Sequence, residues 1–264
     1  SIRPETNYDI WAGRRDLLQS WRDNFDVFLS SRASRLFCVW GDYGSGKTHC
    51  FYHFKWLLQQ RNVLVIYSRF PEAAKNFLLL SRQAFLSQID WENFIDVAKK
   101  FYASVVREKH DTEGSKFLHT EISKRWTDFT RAFLMLVQEK EDAYHSRLAQ
   151  MWLLGNNLPK KDLLDLGLSS NLKSDTDAIR TLCCIARVLV NPVSGYNGIV
   201  WMLDECEEIG KLSPRGIPSI QQGIRDCLDG SERFCITMAF TMTNPGAVDN
   251  FLSGGLTSRL PPGK

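Results

Sequence analysis

The feature that most constrains this chain is the octapeptide GDYGSGKT at residues 41–48, which contains three glycines, a lysine and a threonine. It follows a short apolar run, LFCVW at 36–40, and leads into residues 47–60, whose apolar residues recur at spacings of three and four. A buried strand, a bare loop and a helix are therefore predicted in that order. Glycine suits such a loop because backbone N–H groups can approach an anion closely where no side chain obstructs them. The octapeptide, called the phosphate loop below, thus predicts a site for phosphate groups.

The octapeptide also matches the pattern G-x-x-x-x-G-K-[ST] of nucleotide-binding loops. In this pattern the lysine, here Lys47, reaches the β and γ phosphates, and the hydroxyl, here Thr48, ligates Mg²⁺. The predicted helix points its positive end at the same anion. A glycine-rich turn before a helix, with no ligand, is the alternative. The residues expected to contact the nucleotide are Gly41, Asp42, Tyr43, Gly44, Ser45, Gly46, Lys47, Thr48 and His49.

An acidic motif lies far downstream, in GIVWMLDECEE at 198–208, where an apolar run ends in adjacent carboxylates. Because the carboxyl ends of parallel strands share one edge of a sheet, these carboxylates are expected at the edge where the loop opens. Asp204 is the candidate Mg²⁺ ligand together with Thr48, and Glu205 is placed to orient or deprotonate an attacking water. A base beside the metal favours ATP hydrolysis over nucleoside kinase or GTPase chemistry. A solvated acidic turn is the alternative.

Two more apolar runs complete the predicted sheet, VLVIYS at 63–68 and RFCITMAF at 233–240. Short continuous apolar runs are typical of strands that are buried on both faces, as in a parallel sheet. Residues 14–31 carry apolar side chains at helical spacing and predict an amphipathic helix ahead of the first strand. The predicted fold class is therefore α/β with a parallel sheet.

Several stretches together resemble the ATPase core of the bacterial ORC-like AAA+ group of P-loop ATPases. They are AGRRDLLQSW, FCVWGDYGSGKTH, MWLLGNNLPKKDLLDLGL, GIVWMLDECEEI and LTSRL. This group includes ATP-binding proteins of BREX-type phage defence, and STAND signalling ATPases and AAA+ regulators of Tn7-like transposition share its core. The resemblance implies a P-loop NTPase with a parallel three-layer α/β/α sheet, ATP and Mg²⁺ as ligands, and residues near Gly13 lying against the adenine.

The resemblance also implies partners and a mode of action. It implies an oligomeric, ATP-hydrolysing machine that is associated with DNA and acts in prokaryotic antiviral defence. The alternative is a STAND-like switch, or an adaptor such as a transposition regulator, in which bound ATP recruits an effector protein and hydrolysis only resets the state.

Further site residues follow from the same resemblance. The strand after the acidic motif should end in a polar sensor of the γ-phosphate, for which Thr241, Thr243 and Asn244 are the candidates. Arg259, in LTSRL, is the candidate arginine finger that reaches the nucleotide of a neighbouring subunit. A polar turn ahead of Pro245 and a solvated surface arginine are the respective alternatives.

The motifs divide the chain into four parts. They are residues 1–34, an N-terminal linker and helix; 35–71, the first part of the core with the phosphate loop; 72–197, a helical insertion and connection; and 198–264, the second part of the core with the acidic motif and the sensor strand. The insertion is predicted to be helical because its apolar residues recur at spacings of three and four residues. A helical lid, which the resemblance implies next, is expected to be absent, so this segment alone should hydrolyse ATP weakly.

Composition sets the remaining limits. The chain has 33 basic and 30 acidic residues and a net charge of +3, which does not by itself indicate a nucleic-acid partner. Seven cysteines form no C-x-x-C pair and mostly lie in apolar runs, which favours reduced, buried thiols over disulfides or zinc. No stretch reaches the roughly 18 consecutive apolar residues of a membrane span, so no membrane association is expected. A cytoplasmic location is predicted.

Overall fold

The structure is a computed structural model of the chain. It describes residues 6–11, 13–31, 33–71, 77–105, 127–138, 143–191, 195–211, 216–241, 251–252 and 256. The chain divides into two compact units, Ser1–Phe77 with Tyr196–Lys264, and Leu78–Gly195. The first unit contains the sheet, and the second is helical in its described parts.

The first unit is built on a four-stranded sheet in which all described strands run parallel, in the order β1-β4-β3-β2. The strands are β1 (Arg35–Gly41), β2 (Val63–Arg69), β3 (Gly198–Asp204) and β4 (Phe234–Thr241). The parallel α/β sheet that the apolar runs predicted is confirmed. The strand that follows the acidic motif, β4, lies between the strand of the phosphate loop and the strand of the acidic motif.

The helices are defined by their described ranges. They are α1 (Arg15–Ser30), α2 (Lys47–Gln59), α3 (Phe77–Leu86), α4 (residues 91–105), α5 (Thr127–Val137), α6 (Ala143–Leu153), α7 (Lys160–Asp165), α8 (Asp175–Leu189) and α9 (Gly216–Gly230), with a short 3-10 turn at Cys206–Lys211. Helices α1, α2 and α9 belong to the sheet unit and α4 to α8 to the helical unit.

The register of the strands aligns their carboxyl ends. Gly41, the last residue of β1, pairs with Thr241, the last residue of β4. Arg69, the last residue of β2, pairs with Asp204, the last residue of β3. The phosphate loop, the acidic motif and the end of β4 therefore lie along one edge of the sheet, where ligands bind in open parallel α/β sheets.

An aromatic core joins α1 and α2 to one face of the sheet. Trp21 of α1 stacks on Phe54 of α2 with ring centroids 4.3 Å apart, and Phe25 meets Phe37 of β1 edge to face. Strand β3 is buried at every position, so both faces of the sheet are covered. Burial on both faces explains why this strand is a continuous apolar run. The same core holds α2, and with it the phosphate loop, against the sheet.

The helical unit has its own core and its own polar contacts. Trp152 of α6 is fully buried and donates its indole N–H to Ser170 O at 2.8 Å. Helix α8 begins with a capping box, in which Asp177 N donates to Ser174 Oγ at 3.1 Å and Ser174 N donates to Asp177 Oδ2 at 3.0 Å. Such caps satisfy backbone donors that a helix start leaves without partners.

Two general predictions concern the cysteines and membrane-spanning helices. All seven cysteines are free, and six of them are buried. Burial raises the pKa of Cys50 and of Cys184 to about 12, so these thiols stay protonated. The prediction of buried thiols is confirmed at six of the seven positions. Within the described ranges, no helix has both the length and the apolar character needed to cross a bilayer.

Candidate functional site

The phosphate loop connects β1 to α2 through a turn whose shape requires glycine. Gly44 and Gly46 have φ values of 76° and 87°, in the left-handed region that L side chains rarely adopt. Gly46 is also the residue that caps α2, and no side chain caps the N–H groups of that helix start. Backbone donors at a helix start attract anions. The start of α2 therefore has backbone N–H groups that no side chain caps, next to a turn that requires glycine.

Gly41 lies close to the Ser45 side chain. A Cβ built on Gly41 would lie 2.7 Å from Ser45 Oγ, closer than real Cβ contacts. Ser45 N in turn donates to Asp42 O at 3.1 Å, which closes the loop on itself. The Tyr43 side chain at the loop's tip is 94% exposed. All nine residues predicted to contact the nucleotide therefore lie in this loop and the first turn of α2.

Lys47 folds back over the loop. Its Nζ donates to Gly41 O at 2.9 Å and to Asp42 O at 3.0 Å. None of the ion pairs found among the described residues involves this ammonium group. Two neutral carbonyl acceptors are weaker partners for an ammonium than an anion would be. The lysine is thus held beside the loop by contacts that a phosphate group could replace.

Asp204 is the centre of the site. Its side chain is buried, with 3% of the residue exposed, and its Oδ2 accepts a hydrogen bond from Thr48 Oγ1 at 2.7 Å. The same oxygen accepts a hydrogen bond from the Tyr67 hydroxyl at 2.9 Å, and Oδ1 accepts one from Glu205 N at 2.9 Å. The two predicted metal ligands, Thr48 and Asp204, are separated by 156 residues in the chain and in direct contact in space.

Glu205 has a different environment from its neighbour. Its backbone has φ 59°, which is uncommon for a residue with a side chain. Its carboxylate lies 3.8 Å from Arg69 Nε, and both side chains are largely exposed. The pKa of Arg69 is raised chiefly by this carboxylate. The site therefore contains one buried carboxylate held by neutral donors and one exposed carboxylate beside a cation.

A magnesium ion fits the donor set at this edge. No group of three or more His, Cys, Asp or Glu residues that could enclose a metal is found in the described part of the chain. Mg²⁺ does not need such a group, because it is usually held by one or two carboxylates and by substrate phosphates, and it keeps several waters. The Thr48 hydroxyl and the buried Asp204 carboxylate supply oxygen ligands of the required kind.

The sensor candidates are only partly described. Thr241 ends β4 in register with Gly41, at the edge that carries the loop. Thr243 and Asn244, and the candidate arginine finger Arg259, lie outside the described residues. Their roles stay predictions.

The segment before α1 contacts the phosphate-loop helix. His49 Nε2 and His53 Nδ1 lie 2.7 Å from the carbonyl oxygens of Ile10 and Tyr8, respectively. Because a carbonyl only accepts, each ring nitrogen must carry the proton. The Trp11 ring packs on His53 at a centroid distance of 5.0 Å. His49, which was predicted to contact the nucleotide, is therefore engaged with the segment that the resemblance places near the adenine.

Sequence reasoning missed Tyr67 and Arg69. Both lie on β2, whose apolar run predicts a strand but assigns no role to the residues at its end. The signal that could have found them is the rule that all parallel strands end at the same edge as the phosphate loop. Polar residues at the end of a buried strand, here the sequence YSR, are then candidates for that edge.

Comparison of the chain with models of known protein families and with curated proteins finds no match to either.

Proposed function

We propose that this chain is the ATP-binding and ATP-hydrolysing core of an AAA+ protein. The observation that supports it most is the 2.7 Å hydrogen bond between Thr48 Oγ1 and Asp204 Oδ2. It joins the hydroxyl of a glycine-rich phosphate loop to a buried carboxylate on a separate strand. A binding loop needs only the first of these groups, whereas metal-assisted phosphoryl transfer needs both.

The roles proposed for the residues follow from their contacts. Loop N–H groups and Lys47 would hold the phosphates, with Lys47 exchanging its carbonyl partners for phosphate oxygens. Thr48 and Asp204 would hold Mg²⁺, which when bound neutralises charge on the β and γ phosphate oxygens. Glu205, exposed at the same edge, would orient the water and accept its proton.

Equilibrium ATP binding with Mg²⁺ tests the proposal. Lys47→Ala should weaken binding by about 10- to 100-fold, which corresponds to the loss of a charged hydrogen bond of about 1.5–3 kcal/mol. Asp204→Asn should reduce the gain in affinity that Mg²⁺ provides and leave binding without Mg²⁺ nearly unchanged. Lys99→Ala and Asp165→Asn, at exposed positions of the helical unit, are the matched controls. Normal ATP binding by Lys47→Ala would contradict the proposal.

A nucleotide switch is the second candidate, and the Glu205–Arg69 contact favours it. Arg69 holds the Glu205 carboxylate in an ion pair, which would have to break before this carboxylate could face the attacking water, so bound ATP would persist before hydrolysis. Glu205→Gln separates the two functions. If turnover drives the activity, this variant loses it, whereas in a switch the variant stays locked in the active state.

The proposed partners rest on the resemblance alone. The chain would assemble as a homo-oligomer or hetero-oligomer, with Arg259 completing the neighbouring site, and would associate with DNA or an effector protein. Sizing of the protein with ATP, with and without duplex DNA, tests both. Arg259→Ala should reduce turnover by 10³-fold or more if it acts as a finger, and should leave ATP binding intact. Equal turnover in wild type and variant would exclude that role.

A further inference from the structure

Tyr67 contributes a contact that the proposed ATPase mechanism does not use. Its hydroxyl donates to Asp204 Oδ2 at 2.9 Å, the same oxygen that accepts from Thr48. Tyr67 pairs in register with Met202, two residues before Asp204, so both side chains extend from the same face of the sheet. This geometry makes the phenol a direct hydrogen-bond donor to a predicted metal ligand.

The Tyr67 ring is held by the helix that carries the phosphate loop. It packs against Tyr52 at a centroid distance of 4.9 Å and meets Phe51 edge to face at 6.4 Å. Both partners belong to α2, which begins at Lys47. The ring therefore links the position of the phosphate-loop helix to the orientation of the Asp204 carboxylate.

The phenol is suited to remain a donor. The contact runs from the phenolic O–H to a carboxylate oxygen, so the hydroxyl is the donor and Asp204 the acceptor. Thr48 differs, because its hydroxyl oxygen is needed as a metal ligand. Tyr67 is thus the side chain that can hold Asp204 in place without competing for the metal.

We propose that Tyr67 is a positioning residue that orients Asp204 and so sets the affinity of the site for Mg²⁺ in the presence of ATP. This inference rests on the proposed ATPase function. Ligating carboxylates are commonly held by such outer hydrogen bonds, and loss of one typically costs 10- to 100-fold in metal affinity. Tyr67 would act on the metal through Asp204, without touching ATP.

The test compares wild type with Tyr67→Phe, which removes only the hydroxyl. ATP affinity is measured in EDTA and again in rising Mg²⁺, and the Mg²⁺ midpoint is the main readout. Tyr67→Phe should raise that midpoint by 10-fold or more and leave the affinity in EDTA within about 2-fold. Tyr144→Phe is the matched control, because it deletes a phenol that also donates to a carboxylate, that of Asp162. Its midpoint should equal that of wild type.

A second variant protects against a folding defect. Replacing Tyr67 with meta-fluorotyrosine keeps the ring and the donor, so its Mg²⁺ midpoint should remain near that of wild type. A merely structural role for the hydroxyl would lower the melting temperature and the affinity in EDTA while the Mg²⁺ midpoint stays constant, and that result would overturn the inference.

Failure of the two proposals would look different. If wild type binds ATP and responds to Mg²⁺, and Tyr67→Phe has the same Mg²⁺ midpoint as wild type, then the role of Tyr67 is refuted and the ATPase proposal stands. If wild type binds no ATP under any condition, the proposed function is refuted and the role of Tyr67 with it.

Discussion

Individual side chains divide the site into a buried half and an exposed half. Asp204 is enclosed and satisfied by neutral donors, whereas Glu205 turns outward to Arg69 from a left-handed backbone position. Backbone conformations of this kind are sparsely populated and occur often at functional sites. Adjacent carboxylates in a sequence can thus have separate chemical roles.

Arg69 provides a test of the exposed half. Arg69→Ala should change the free energy of unfolding by less than about 1 kcal/mol, because exposed ion pairs contribute little. If Glu205 is the base, the same variant should raise ATP turnover, since the carboxylate is released from its ion pair and is free to face the water. Urea unfolding and steady-state hydrolysis check the two effects. A fall in turnover would show that Arg69 assists the reaction itself.

Gly155 provides a test of packing in the helical unit. Its φ is 86°, and a Cβ added there would overlap Arg82 Nη2, in a side chain that is fully buried. Gly155→Ala should therefore lower the free energy of unfolding by about 2–5 kcal/mol, from backbone strain of about 1–2 kcal/mol plus overpacking of about 1–3 kcal/mol. Urea denaturation measures this loss in the free energy of unfolding.

Gly167 is the matched control for that substitution. Its φ is 66°, but an added Cβ would come no closer than 3.6 Å to Arg131. Gly167→Ala should show the strain alone, about 1–2 kcal/mol. Equal losses in the two variants would mean that the Arg82 contact adds nothing.

At the scale of elements, the contact between the N-terminal segment and α2 predicts a pH dependence. His53 is 3% exposed, and burial lowers its pKa from the ordinary 6.5. The nearby charges of His49 and Arg22 lower this pKa further. The Tyr8 carbonyl and Asp9 raise it, but by less than burial lowers it. Below pH 6.5 the unfolded chain therefore binds more protons than the folded chain at this residue. Its contribution to stability is present above pH 6.5 and is lost as the pH falls through the lower, folded-state pKa.

Thermal unfolding between pH 7 and pH 5 checks that dependence. His53→Asn keeps a donor near the position of Nδ1 and removes the titrating group, so it should flatten the acid side of the stability profile. His145→Asn controls for the loss of an imidazole in the helical unit. An unchanged profile in His53→Asn would contradict the assignment.

Elements differ in how readily their sequence reveals them. The four strands are continuous apolar runs. Helices of the insertion whose apolar residues are spaced three and four apart, such as α5 and α8, were predicted at their observed positions. Helix α9 was not predicted, and its Pro218 and Gly223 oppose a helix prediction. Pro218 is tolerated in the first turn, where its missing N–H has no helical partner. Burial of one face outweighs the cost of Gly223.

At the scale of the whole molecule, the helical unit is one continuous stretch with its own buried core. A fragment of residues 78–195 should therefore fold alone, since a domain of this size can bury enough apolar surface. Circular dichroism should show a helical spectrum and a cooperative melt. A non-cooperative melt would show that this unit depends on the rest of the chain.

The sequence by itself determined the features that are local. Short apolar runs specify the strands of the parallel sheet. The loop from Gly41 to Thr48 can be recognised from the sequence because its glycines and its lysine lie within eight residues of the chain. Asp204 could be proposed as well, since it ends an apolar run. The strand order and the Thr48–Asp204 contact belong to the tertiary structure.

Only the tertiary structure decided which distant side chains meet. The hydroxyl of Tyr67 reaches Asp204 because β2 and β3 are neighbours in register, and Arg69 reaches Glu205 for the same reason. The strand order also places β4 between β1 and β3. Pairing between strands far apart in the chain depends on the packing of the whole core, so local sequence patterns do not predict which strands pair.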